Sequence, residues 1–422
     1  MSVAGRVGGD PARVSGPGTR ALATGSALVM AGALPGMLPA ALAVRIRADF
    51  PLSAAALGFA VSLLFLASAL LSPVCGRVVG RIGPVAGMRV AAAVIATSCL
   101  VVAATARSAA ALTAGILMAG AGNAMTMPAV SALLQREIAR NRLGAAFGAQ
   151  SAGGSFAGLL AGLSVPLIAI PFGWRWAFVG TAVLAVAAAA SAGSAAHATA
   201  PDENGAWRPA ARGSAARSGA GGSAALRGGG APAAGSARGL AVASALASAA
   251  AVALISFLTL YAIDRGISET EAGLLLAAVG GGSSLSRIVL GAAADRTGGD
   301  PLRPVAVLLG IGAVGYLVLA AEPAAAVVLG ALLAGTLGWC WHGALTLAVV
   351  HDGPGAAATG VGILMAGVFA GAVAGPFLIG LLVERDAFTG AWLVCAACSA
   401  GAALIVTGVR RRGLRRAALS GP

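Results

Sequence analysis

Few residues in this sequence can do chemistry, and the most telling ones sit in apolar surroundings. Arg287 lies in a run that is otherwise uncharged from Ala272 to Leu290, eight residues before Asp295. A guanidinium there can grip a carboxylate, or a similar planar anion, through two parallel N–H donors. It can equally reach back to the surface and join Asp295. His342, between Trp341 and Gly343, can carry a proton, hydrogen-bond a ligand or pack as a satisfied core residue. Asn123 and Gln150 offer amides that fit either a cavity wall or a bond between helices. No acid–base pair and no metal-ligand set occurs at one depth in the chain. The five cysteines all lie in apolar blocks, and Cys395-x-x-Cys398 has no second pair. They read as small packing residues. The expectation is therefore no enzyme, no cofactor and no metal.

The elements that hold these residues follow from composition. Hydrophobic residues make up 58% of the 422 and charged residues only 10%, against about 25% charged in soluble domains. The apolar residues come in blocks long enough to span a bilayer, where only helices satisfy every backbone amide within one segment. Twelve spans are predicted: 21–44, 54–75, 84–106, 109–133, 144–170, 176–197, 240–262, 271–293, 304–321, 323–350, 356–383 and 388–409. The fold class is all-α integral membrane. The net charge of +14 contains no Lys and is carried by Arg in the connectors. Alternate connectors and the span ends beside them, with Arg89 and Arg287 counted there, hold 22 Arg. The others hold six: Arg45, Arg47, Arg107, Arg175, Arg265 and Arg385. That bias predicts an even span count with both termini cytoplasmic, and argues against nucleic acid as a partner.

Residues 198–239 are Gly, Ala, Ser, Pro and Arg with few large apolar side chains. They read as a flexible cytoplasmic linker between an N-terminal bundle (21–197) and a C-terminal bundle (240–409). Tails of 1–20 and 410–422 flank the bundles. The halves repeat. Gly154, Gly158 and Gly162 in the fifth span match Gly367, Gly371 and Gly375 in the eleventh, offset by 213 residues (367 − 154). Such stripes let another helix pack closely. Duplicated six-span halves are a recurring transporter plan.

After the eighth span comes Gly291-x-x-x-Asp295-Arg296-x-Gly298. After the second comes Gly76-x-x-x-Gly80-Arg81-x-Gly83. Both resemble the cytoplasmic loop signature of the major facilitator superfamily. With twelve spans and a central linker, the resemblance covers nearly the whole chain. It implies two six-helix bundles working by alternating access, latched on the cytoplasmic side by Asp295, Arg296 and Gly291, and by Arg81 and Gly76. The first copy has Gly80 where the family usually has Asp, so Asp295 is the better latch candidate.

The strings Phe172-Gly173-Trp174-Arg175-Trp176-Ala177-Phe178 and Tyr261-Ala262-Ile263-Asp264-Arg265-Gly266 resemble the branch with cyanate permease-like and monocarboxylate transporter-like members. Arg287-x-x-x-Gly291 is similar to that branch's eighth-span pattern, where the Arg binds the substrate's carboxylate. The position of the branch's Asp, four residues earlier, holds Ser283, and its first-span Lys is absent, so its coupling mechanism does not carry over. The drug-antiporter signature is missing from the fifth span, which reads Gly162-Leu163-Ser164.

The expected protein is a monomeric permease of the plasma or inner membrane. It carries a small organic anion, with a proton as a candidate second partner, and Arg287, Asn123, His342 and Gln150 form the substrate site. The alternative is proton-coupled efflux of drug-like or amphiphilic compounds. A cation substrate would call for an acidic cavity, which the spans do not offer.

Overall fold

A computed structural model describes residues 16–138, 143–195, 234–297, 300, 302–321, 323–342, 345 and 354–419, and all regular structure among them is helical. The first half contains α1 (Gly16–Ala41), α2 (Ala43–Asp49), α3 (Ala54–Ile82), α4 (Pro84–Thr105), α5 (Ala109–Glu137), α6 (Leu143–Ser164) and α7 (Arg175–Ala195). α6 continues through a π-helical turn, Val165–Ala169, to Phe172. The second half contains α8 (Ala234–Asp264), α9 (Glu269–Thr297), α10 (Leu302–Leu319), α11 (Ala324–Leu332), α12 (Pro354–Val383) and α13 (Phe388–Leu419). Eleven of these are long and apolar enough to cross a membrane, and the shorter apolar helix Ala324–Leu337 falls in tenth place. Large apolar side chains such as Leu70 (68% exposed) and Leu404 (73%) line the outside of the bundle. In water such a surface would aggregate; in a bilayer it faces lipid.

Local chemistry sets the helix ends. The Ser53 and Ser108 hydroxyls accept the backbone N–H groups of Ala56 (3.1 Å) and Ala111 (3.2 Å), capping α3 and α5. α9 opens with a reciprocal cap: Ser268 Oγ accepts from the Glu271 N–H (3.3 Å), and Glu271 Oε2 accepts from the Ser268 N–H (3.1 Å). Gly83, at φ 84°, turns the chain between α3 and α4 where Pro84 starts the next helix.

The two halves meet along three helix pairs: α6 on α9, α3 on α12 and α1 on α8. At the end of the bundle that carries α2 they are tied by hydrogen bonds. Thr259 Oγ1 donates to the Ala40 carbonyl (2.6 Å), and Ser62 Oγ donates to the Val373 carbonyl (2.6 Å). The Ala55 N–H, one of the unsatisfied donors at the start of α3, donates to Glu384 Oε2 (3.1 Å) from the other half. Toward the end that carries the termini, α3 and α12 line a cavity of about 580 Å3, with Leu66, Ala69, Ser72, Pro73, Met365 and Phe369 among its walls. Gly76 and Gly80, near that end of α3, have no atom within 4 Å of where a Cβ would stand.

Several boundaries differ from the sequence expectation. The block expected as 21–44 is divided, because Leu42 (φ −101°, ψ 11°) leaves helical geometry and α2 forms a separate piece. The tenth span, expected as one segment over 323–350, has a π-helical turn at Leu333–Leu337 and a non-helical turn at 338–340. α8 begins at Ala234, inside the segment read as linker, and α13 runs to Leu419 through the arginines read as a tail. The rest of that linker, 198–233, and residues 1–15 lie outside the described residues.

Candidate functional site

Arg287 projects from α9 ten residues before its last residue, Thr297 (297 − 287), so about 15 Å from that helix end. It does not reach for the surface. Its Nη2 donates to the Trp339 carbonyl at 2.9 Å, and its Nη1 makes a longer contact of 3.5 Å with the Ser151 carbonyl of α6. Its Cζ stands 5.1 Å from the centre of the Trp339 ring, within cation–π range. The Nε is buried with no hydrogen-bond partner. Among the described residues no carboxylate pairs with it.

The break in the tenth span supplies one of these acceptors. Thr336 Oγ1 bonds back to the Leu332 carbonyl inside the π-helical turn, and the following turn, 338–340, carries Trp339. A π-turn and a break leave main-chain carbonyls without helical partners, and such breaks cluster at functional sites. Cys340 Sγ lies 3.5 Å from the Ser283 carbonyl, and Ser283 Oγ is 3.3 Å from Ser155 Oγ across the halves. Ser284 Oγ contacts the Ala152 carbonyl at 3.4 Å. Arg287 thus sits where α6, α9 and the tenth span converge.

The other three residues of the expected substrate site are placed differently. Asn123 Nδ2 donates to Ser68 Oγ at 3.0 Å, joining α5 to α3, while its Oδ1 faces Gly32 of α1. Gln150, 2% exposed, directs its Nε2 at Met127 Sδ (3.3 Å) and Ser131 Oγ (3.4 Å) of α5, and its Oε1 has no partner. Both amides bond helix to helix inside the first half and do not converge with Arg287. His342 is on the same broken segment as Trp339, its ring 5.4 Å from that of Trp341. Sequence reading missed the acceptor role of the Trp339 and Ser151 carbonyls. The closely spaced Gly335 and Gly338 were the available signal for a break.

The glycine stripes divide in role. A Cβ on Gly162 would overlap the backbone of Gly273 and Ala277, and one on Gly158 would stand 3.4 Å from Gly280 Cα, so these two bring α6 onto α9 of the other half. Gly154 has open space at that position and takes no part. Cβ atoms on Gly367, Gly371 and Gly375 would overlap the carbonyls of Ala241, Ala245 and Ala249, so that stripe joins α12 to α8 within one half. Of the expected latch, Arg81 is exposed at the end of α3. Gly291, Asp295 and Arg296 lie on the α9 backbone, and their side chains are outside the described set.

The Major Facilitator Superfamily profile matches residues 22–363 and 240–419, and the chain belongs to that family. No curated protein matches it. Among solved structures it is similar to a bacterial homologue of the human lysosomal transporter Spinster in an inward-facing, occupied conformation. The TM-score is 0.69 at 17% identity, covering 97% of this chain and 99% of that one. It is also similar to a variant of the nucleoside transporter NupG, with a TM-score of 0.69 at 14% identity and coverage of 92% and 99%. These likenesses support the fold of two six-helix halves. The protein is a multi-pass membrane protein of a transporter family.

Proposed function

We propose that the protein carries a small organic anion by alternating access, with Arg287 as its anion contact. One observation carries this reading: a guanidinium inside the bundle, at the meeting of both halves, has its Nε buried without a partner and, among the described residues, no carboxylate beside it. A cation so placed is costly unless an anion answers it. The Trp339 carbonyl acts as a stand-in ligand, and an incoming carboxylate takes its place. His342, three residues further along that segment, is the candidate proton carrier; otherwise the substrate brings its own proton, or transport is facilitated diffusion or exchange.

The arginine bias supports cytoplasmic termini in a plasma or inner membrane. In that orientation the bonded α2 end faces outward and the cavity between α3 and α12 opens inward. The test is uptake of radiolabelled monocarboxylates into proteoliposomes, comparing the native protein with Arg287→Gln and Arg287→Lys. Normal transport of the identified substrate by both variants would overturn the anion site. The largely apolar walls of the α3–α12 cavity favour a second reading, proton-coupled export of an amphiphile. Competition by an uncharged amphiphile, undiminished in Arg287→Gln, would support that reading instead.

A further inference from the structure

The seven-residue helix α2 is crossed by three charges two residues apart, and each has a different destination. Asp49 turns to its own half. Its Oδ2 accepts from Trp174 Nε1 at 3.0 Å and from Arg175 Nη1, while Arg175 Nη2 donates to the Ala106 carbonyl at 3.0 Å. Phe50, just after α2, packs edge-on to Trp174. These bonds seat α2 on the start of α7. Arg45 turns to the other half: its Nε lies 2.8 Å and 3.0 Å from the two carboxylate oxygens of Glu269, the first residue of α9.

Arg47 also looks across. It shares a cavity of about 690 Å3 with Glu384, Asp264 and Asp386 of the second half, and its Nε is buried without a hydrogen bond. Glu384 itself accepts the Ala55 N–H at the start of α3. The charge states agree with these contacts. Hydrogen bonds from Trp174 and Arg175 hold the Asp49 carboxyl below the usual carboxylate range, and the Glu269 bond raises the Arg45 guanidinium above its ordinary value. Burial lowers the Arg47 guanidinium, and the negative field of Glu384 opposes that.

We propose that α2 is a clasp. Asp49 fixes it to the first half through Trp174 and Arg175, Arg45 holds the second half by its ion pair with Glu269, and Arg47 adds attraction to Glu384 across the shared cavity. The α2 end of the transporter then stays shut until these cross-half charges part. The clasp rests on alternating access by this fold and not on the identity of the substrate. A two-state carrier responds to any difference in contact energy between its states. An ion pair present only when the α2 end is closed is such a difference.

The experiment is a distance measurement by electron spin resonance on the full chain in nanodiscs without substrate, the native cysteines replaced by alanine. Labels go on Arg107→Cys and Ala325→Cys, both exposed near the α2 end of opposite halves, with neither native side chain part of the clasp. Arg45→Glu and Glu269→Arg should each raise the open-to-closed ratio about fivefold or more. The milder Arg45→Gln should fall between them and the native protein. The exchange Arg45→Glu with Glu269→Arg should return the ratio to within about twofold of the native one. An unchanged ratio in Arg45→Gln and the reversals, or an exchange variant as open as the single reversals, overturns the clasp. Because no substrate is present, either result leaves the anion assignment to its own uptake assay.

Discussion

The hydroxyls of Ser155 and Ser283 lie 3.3 Å apart at a buried point where α6 of one half meets α9 of the other. Ser283 is one helical turn before Arg287, so the space nearest the arginine on its own helix is filled by a neutral contact between halves. Placing a carboxylate there tests what that neutrality does. Ser283→Asp sets an acid at the i, i+4 spacing that pairs with Arg287. Uptake of a carboxylate substrate at pH 7.5 should fall about tenfold as Asp and substrate compete for one guanidinium. It should recover as pH is lowered and the new acid protonates. A pH-independent loss, read from initial uptake rates, would mean that the substitution acts through packing.

Arg287→Gln keeps hydrogen-bond donors but removes the charge. Its substrate kcat/KM should drop about 30-fold or more, the consequence of losing a buried charge-assisted contact worth about 2–5 kcal/mol. Arg287→Lys keeps the charge without the planar fork, so it should retain more binding than Gln yet less than Arg. Equal loss in both variants would show that geometry, not charge, is what the site requires.

The two glycine stripes should respond differently to a methyl group. Gly371→Ala pushes a Cβ into the Ala245 carbonyl inside one half, and overpacking of this kind costs about 1–3 kcal/mol. Its melting temperature in detergent should fall. Gly154→Ala meets nothing and should be neutral or slightly stabilising, since Ala is the better helix former by up to about 1 kcal/mol. A destabilised Gly154→Ala would show that its open side is filled in the other conformation.

Tyr261, fully buried, donates its hydroxyl to the Leu319 carbonyl at 2.6 Å, linking the ends of α8 and α10. Tyr261→Phe leaves that carbonyl unanswered, and stability should fall by about 1–3 kcal/mol. Thermal unfolding followed by intrinsic fluorescence reads the change.

Acid should loosen the seat of α2. The Asp49 carboxyl is held below its ordinary value in the folded protein by hydrogen bonds from Trp174 and Arg175. The unfolded chain therefore binds this proton more readily, and stability rises with pH across that range. The contribution is complete above the ordinary carboxylate value of about 3.9 and is lost as pH falls through the folded one. The difference in melting temperature between native protein and Asp49→Asn should be present at pH 7 and shrink by pH 3. The pair is partly exposed, so the effect is small, on the order of 1 kcal/mol or less.

The membrane-spanning blocks and the two related halves were legible because bilayer length and connector charge are written along the chain. What each polar side chain touches was not. In a membrane bundle the lipid face and the packed face are both apolar, so Asn123 and Gln150 give no sign of which way they point. Only the assembled helices turn them onto Ser68 and onto Met127 with Ser131. The break after Leu337 escaped notice for a related reason. No proline or charge marks it, and hydropathy runs unbroken through Leu333–Leu337. Arg45, Arg47 and Asp49 were visible as the close of an apolar block. Their separate destinations emerge only once α2 is set between Trp174 with Arg175 on one side and Glu269 on the other.

Under the anion site proposed above, the bond from Arg287 to the Trp339 carbonyl also bears on discrimination among anions. An anion entering the empty carrier gains only the difference between its own contacts with the guanidinium and those it displaces. A halide, spherical and holding a single point of charge, can do little better than the carbonyl already there. A carboxylate, flat and two-pronged, can take two donors at once. In that reading the backbone of the tenth span sets a threshold that chloride does not easily pass.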